Sequence, residues 1–63
     1  MCEGIAYVVR NSQREEVMAE VAQLQVEGDQ VILSGLLGEQ KAVRGTVERV
    51  DFLQHTIIIR ETA

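Results

Sequence analysis

Short apolar runs separated by polar turns dominate the chain, and they favour β-strands over helices. Residues 4–10 are rich in β-branched and aromatic side chains, and residues 56–60 include three successive isoleucines. A third apolar run covers residues 31–33. Proline is absent, so no position is barred from donating to a strand ladder. The pattern predicts about five short strands joined by turns.

A β-hairpin is predicted over residues 21–37. Its turn contains Gly28 and Asp29, residue types that tolerate the positive φ required by tight hairpin turns. Further turns are expected at residues 38–40, where a glycine precedes two polar residues, and at residues 51–55. These turns bound the third and fourth strands and separate the fourth strand from the last.

The segment that precedes this hairpin has two interpretations. Val17, Val21 and Leu24 follow a helical spacing of three and four, and most of their neighbours are good helix formers. The residues that follow Val21 alternate between apolar side chains and glutamines, which is strand spacing. We expect a strand over residues 21–26, and residues 15–20 are either strand or a short helical turn.

The fourth predicted strand, residues 41–50, changes phase along its length. Val43, Gly45 and Val47 alternate with polar residues, but Val50 comes three positions after Val47. A slip of one residue is typical of a β-bulge or a sharp bend, and Gly45 is an equally good place for the bend. Five strands curled by a bent fourth strand predict an all-β fold: a small, partly open barrel of five to seven strands, SH3-like or Sm-like.

The chain is 63 residues long, which predicts a single β-barrel domain over residues 1–63. Its aromatic residues are Tyr7 and Phe52 alone, so the core must be aliphatic. We expect Tyr7 and Met18 to pack into that core. A thin aliphatic core in a short chain favours stabilisation by a partner, and therefore a homodimer.

Charge and hydropathy exclude several classes of protein. Ten acidic and six basic side chains give a net charge of −4, and the basic residues are scattered among the acids, so nucleic-acid binding is disfavoured. No basic segment followed by a long apolar run marks a signal peptide, and no apolar run could span a bilayer. We therefore expect no membrane partner and a cytoplasmic protein, whose single thiol stays reduced.

Cys2 is the one residue at which the sequence predicts metal binding or other reactivity. The single histidine, His55, falls in a predicted turn, and no phosphate-binding loop, zinc-spaced cysteine pair or catalytic triad is present, so no enzyme is predicted. Removal of Met1 would leave Cys2 with a free α-amine. That amine, the thiolate and the backbone amide nitrogen of Glu3 form a planar chelate suited to Ni(II) or copper. His55 is a solvated turn residue or an additional ligand.

The chain also resembles the CooT family of small nickel-binding proteins associated with carbon monoxide dehydrogenase maturation. The resemblance rests on Met1-Cys2, the strand that follows at residues 6–9, the hairpin turn at residues 27–28 and the segment from Gly45 to the isoleucine-rich last strand. It implies a nickel-binding accessory protein, or metallochaperone, that supports nickel insertion. The implied site is Cys2, with the Glu3 backbone, in a homodimer whose N-termini lie close together. The implied partner is the dehydrogenase or its nickel-insertion proteins.

Two alternatives remain open at the level of sequence. One is an Sm-like module that binds RNA or protein and carries Cys2 as a structural residue. It is opposed by the acidic balance and by the scarcity of aromatic stacking platforms. The other is a purely structural domain with an inert, buried cysteine. Metal identity is also open, because copper binds the same donors more tightly than nickel.

Overall fold

Five strands make up the part of the chain that the computed structural model describes, residues 4–62. No helix within those residues is long and apolar enough to cross a membrane. The strands run in chain order as β1 (Gly4–Arg10), β2 (Gln13–Glu27), β3 (Gln30–Gly35), β4 (Gln40–Asp51) and β5 (Thr56–Glu61).

The strands pair in sequence order and close into a barrel through β1 and β5. Successive pairs are antiparallel, and the closing pair is parallel because an odd number of alternating strands brings the first and last into the same direction. Ile5 is opposite Thr56, and Val9 is opposite Arg60. The prediction of a small all-β barrel is confirmed. That residues 1–63 form one domain stays a prediction.

Each of the two long strands, β2 and β4, pairs with one neighbour along its first half and with another along its second half. The first half of β2 pairs with β1 and the second with β3, and the change occurs at Val21, which is opposite both Gly4 and Gly35. In the same way β4 pairs with β3 up to Arg44 and with β5 from Gly45 onwards. The barrel therefore has two corners where a continuous strand passes from one side to the other.

Both tight hairpins use positive φ at the loop positions. Asn11 and Ser12 connect β1 to β2 with φ of 51° and 65°, the type I′ pattern. The predicted turn at Gly28 and Asp29 is confirmed, with positive φ (60°) at Gly28 alone, which is the type II′ pattern. Both turn types match the right-handed twist of the strands they join.

The ambiguous segment at residues 15–20 is strand, and the helical alternative is wrong. Register shifts interrupt β2 on both of its edges, and each adds one residue to the usual period of two. Met18, Val21 and Leu24 consequently share the inward face at a spacing of three. The helix-like spacing of apolar residues in this segment therefore results from the successive bulges in β2.

The predicted phase slip in the fourth strand is also confirmed. Val47 is opposite Ile59, but Arg49 is opposite Ile58, so one extra residue of β4 bulges out between them. Gly45 marks the corner, where its amide donates to the Asp29 carbonyl oxygen at 3.1 Å. Both features proposed from the sequence are present, at separate positions of the strand.

The core is aliphatic, as predicted, with Met18 among its buried members. Tyr7 is not part of it, and that prediction is wrong. The residues on either side of Tyr7 point inward, so alternation along β1 puts the tyrosine on the outer surface, half-buried. The guanidinium of Arg14 lies over its ring, 5.2 Å from the centroid. The core cluster comprises Ala6, Val8, Met18, Val21, Val31, Leu33, Val43, Ile57 and Ile59.

Candidate functional site

The predicted metal-binding residues, Cys2 and Glu3, lie outside the described residues. The chain enters the described structure at Gly4, which begins β1 and lines a groove at that end of the barrel. The site is therefore defined by what surrounds the entry of the chain into the barrel.

The groove lies between β2, just after its corner at Val21, and the turn that joins β4 to β5. Its volume is about 240 Å³. One wall is residues 21–24 of β2, the other is residues 50–52, and residues 55–57 with Gly4 form the floor. The lining is mostly apolar, and Asp51 and His55 are its titratable side chains among the described residues.

The turn that forms one side of the groove is held by the carboxylate of Asp51. Its Oδ1 accepts hydrogen bonds from the backbone amides of Leu53 and Gln54, each at 3.0 Å. The carbonyl oxygen of His55 accepts from the Ile5 amide at 2.8 Å, which attaches the turn to the first strand. His55 has a φ of 55°, and its side chain is exposed, as expected for a solvated turn residue.

Large apolar side chains project from this end of the barrel into solvent. Phe52 is 78% exposed and Leu53 93% exposed, and Val50 beside them is also exposed. Soluble monomers rarely present adjacent apolar residues to this extent, and such patches mark interaction sites. We call this region, with Gly4 and His55, the groove end.

The opposite end of the barrel is charged, and we call it the charged end. Arg10 forms an ion pair and a second hydrogen bond with Glu61, joining the ends of β1 and β5. Arg44 pairs with Asp29 at 3.9 Å. These pairs leave fewer cations available for phosphate contacts. The side chains around its shallow hollows include Arg10, Arg14, Glu15, Lys41, Arg44 and Glu61.

Residues 4–62 contain no group of three or more side chains able to hold a metal ion. At the groove end Asp51 is already engaged: its Oδ1 accepts the turn amides, and its Oδ2 lies 3.4 Å from Arg49. His55 is the remaining donor in the lining. The groove lining among the described residues is therefore mostly apolar.

Sequence reasoning missed the groove and the apolar turn beside it. Residues 51–55 were predicted to be a turn; residues 52–55 form it, and Asp51 is the last residue of β4. The available signal was Phe52-Leu53, two large apolar residues within a predicted turn, where polar residues are usual. Their exposure follows from the turn alone, because a short connection leaves no element on either side to cover them.

By its structure the protein is a small all-β barrel with an apolar groove, which is a candidate binding surface. In a comparison with protein families, residues 1–60 match the model of the CO dehydrogenase accessory protein CooT. The chain belongs to the CooT family, whose members are accessory proteins and not enzymes. The resemblance inferred from the sequence is thus confirmed.

The fold has a close counterpart among solved structures. A crystal structure described as CooT from Carboxydothermus hydrogenoformans superimposes with a TM-score of 0.88 at 21% sequence identity. The match covers 98% of this chain and 100% of that one. At this level of identity it supports the fold alone. No curated protein matches this chain.

Proposed function

We propose that this protein is a cytoplasmic nickel-binding accessory protein that supports nickel insertion into carbon monoxide dehydrogenase. Membership of the CooT family carries the proposal, because that family serves the dehydrogenase. Ni(II) is the cargo, held by the thiolate of Cys2, its α-amine and the backbone amide nitrogen of Glu3. Thiolate and nitrogen donors in one plane are a ligand set suited to nickel.

The position of the groove supports this assignment. Gly4 lines the groove, and two residues of chain span at most about 7 Å, which supports a metal site near the groove end. The mostly apolar lining offers few competing side-chain ligands. A metal held there uses the backbone and thiol of the N-terminus, with His55 as an additional donor within the lining.

The exposed residues of the groove end support a homodimer as part of the same proposal. Phe52 and Leu53 are large, adjacent and almost fully exposed in a single chain. Their burial against a second copy stabilises the association through apolar area removed from water. An interface there brings the two N-termini near each other. The recipient of the nickel is the dehydrogenase itself or one of its nickel-insertion proteins.

The deciding experiment measures nickel binding by the native protein and by Cys2→Ser. Intact-mass analysis first establishes that Met1 is removed. The native protein is expected to bind Ni(II) with a sulfur-to-nickel charge-transfer band, and the affinity should rise with pH because each donor must lose a proton before it binds. The Cys2→Ser variant should lose both the band and stoichiometric binding while its amide spectrum stays that of the folded barrel.

A chain that retains one additional residue ahead of Cys2 is the matched control. It keeps the thiol but separates it from the α-amine, so the five-membered chelate cannot form and nickel affinity should fall. Undiminished nickel binding by Cys2→Ser, or retention of Met1 in the native protein, contradicts the proposal.

A further inference from the structure

The turn between β3 and β4 presents a second apolar surface. Leu37 is 88% exposed and Leu36 47% exposed, and neither lines the groove. We call this turn, residues 36–38 with the neighbouring acidic residues Glu20 and Glu39, the leucine turn.

Hydrogen bonds hold the leucine turn in one conformation. The Leu36 amide donates to the Glu20 carbonyl oxygen at 3.2 Å, and the Leu37 amide donates to Oε1 of Glu39 at 3.1 Å. The Gly38 amide donates to the Gly35 carbonyl oxygen at 3.2 Å. A surface that is already ordered loses little conformational entropy when a partner binds. The two leucines are therefore presented in a preorganised form.

The charge beside these leucines is uncompensated. Among residues 4–62, Glu20 and Glu39 are without an ion-pair partner, whereas the carboxylates of Asp29, Asp51 and Glu61 each have an arginine within 4.0 Å. A surface of apolar side chains beside acidic ones is complementary to a partner that has apolar side chains beside basic ones.

We propose that the leucine turn docks a protein segment in which apolar side chains are flanked by Lys or Arg. A second copy of this chain fits poorly, because a two-fold contact through the turn would bring Glu39 against Glu39. This surface is separate from the proposed metal site, and its function does not depend on nickel.

Two synthetic peptides test the proposal by NMR titration of the full chain. They share one pattern of leucines, and their charged positions are all lysine in one and all glutamate in the other. The lysine peptide should shift the amides of Leu36, Leu37 and Glu20, and the glutamate peptide should not. The Leu37→Ser variant, whose amide spectrum reports that it is folded, should weaken binding of the lysine peptide about tenfold.

Charge-neutralising variants test whether affinity for the lysine peptide depends on the acidic residues of the leucine turn or only on the net charge of the protein. In Glu20→Gln/Glu39→Gln the new amide oxygen can still accept from the Leu37 amide, so the turn persists while affinity for the lysine peptide falls about fivefold. The matched control, Glu16→Gln/Glu27→Gln, removes the same charge from exposed positions of β2 elsewhere and should leave the affinity unchanged.

Several outcomes would overturn the proposal. These are equal binding of both peptides, absence of binding by the lysine peptide, equal weakening in the two double variants, and shifts confined to the groove end. A loss of self-association in Leu37→Ser with no change in peptide affinity would assign the turn to a second copy instead. None of these outcomes affects nickel binding by Cys2, so failure here is distinct from failure of the proposed function.

Discussion

The two ends of this barrel are built from the same five strands and have opposite surfaces. The charged end is closed by ion pairs such as Arg10 with Glu61, which satisfy polar side chains among themselves. The groove end instead leaves Phe52 and Leu53 in solvent beside the point where the chain enters β1. At the charged end, ion pairs within the same chain satisfy polar side chains. At the groove end, exposed apolar side chains form a surface that would be stabilised by burial against a partner.

This difference predicts that substitutions at the charged end and at the groove end affect different properties of the protein. A domain of this length has about 3–9 kcal/mol of total stability, so few apolar side chains can be left out of the core. Several apolar side chains exposed at one end lower the solubility of the protein, and binding to a partner that buries them removes this effect. Changes at the two ends should accordingly affect different measurements.

The largest expected effect is on stability, from Gly45→Ala at the corner of β4 on the charged end. A Cβ there would press against the carbonyl oxygen of Arg60 and lie 3.1 Å from the Cα of Glu61, and both are backbone atoms that cannot turn aside. We expect the free energy of unfolding to fall by about 3 kcal/mol in urea denaturation, a large share of the total.

Gly35→Ala is the matched control for this corner. The Cβ at Gly35 would meet the side chain of Glu39, which can move away if it gives up its hydrogen bond with the Leu37 amide. The expected loss is about 1 kcal/mol or less. Equal destabilisation by the two variants would show that contact with the Arg60 backbone is not what requires glycine at residue 45.

The second effect is on self-association, from Phe52→Ser at the groove end. Phe52 is so exposed that its replacement should change the unfolding free energy of the monomer by about 0.5 kcal/mol or less. The dissociation constant of the dimer, measured by sedimentation, should rise at least about tenfold. Leu37→Ser removes an equally exposed residue outside the groove and should leave dimerisation intact; equal loss in both variants would contradict a specific interface.

The smallest effect is expected from Glu61→Gln, which removes the ion pair with Arg10. Side-chain exposures of 54% for Arg10 and 31% for Glu61 mean that solvent screens the pair. The expected loss is about 0.5 kcal/mol in low salt and less in high salt. Glu16→Gln, which removes an exposed acid from β2, is the reference. A loss comparable to that of Gly45→Ala would mean that the charged end depends on this pair.

Local chemistry made much of the fold predictable. The turn at Gly28, the bulge after Val47 and the isoleucine-rich last strand each follow from residue types within a few positions of one another. Residues 15–20 could not be assigned, because the bulges that give β2 its apparent helical spacing arise from pairing with two different strands. Tyr7 was misplaced for a related reason: composition indicates burial, but alternation along β1 decides the face.

The sequence by itself determined most of the strands, the aliphatic core, the family and the presence of a thiol at Cys2, because all of these depend on residue identity and short-range pattern. Only the tertiary structure decided that Gly4, His55 and Phe52 surround one groove and that Arg10 and Arg44, each paired with a carboxylate, lie at the opposite end. Such groupings depend on which strand ends meet when the barrel closes through β1 and β5. Strand pairing over long sequence separations sets that geometry, and no local pattern records it.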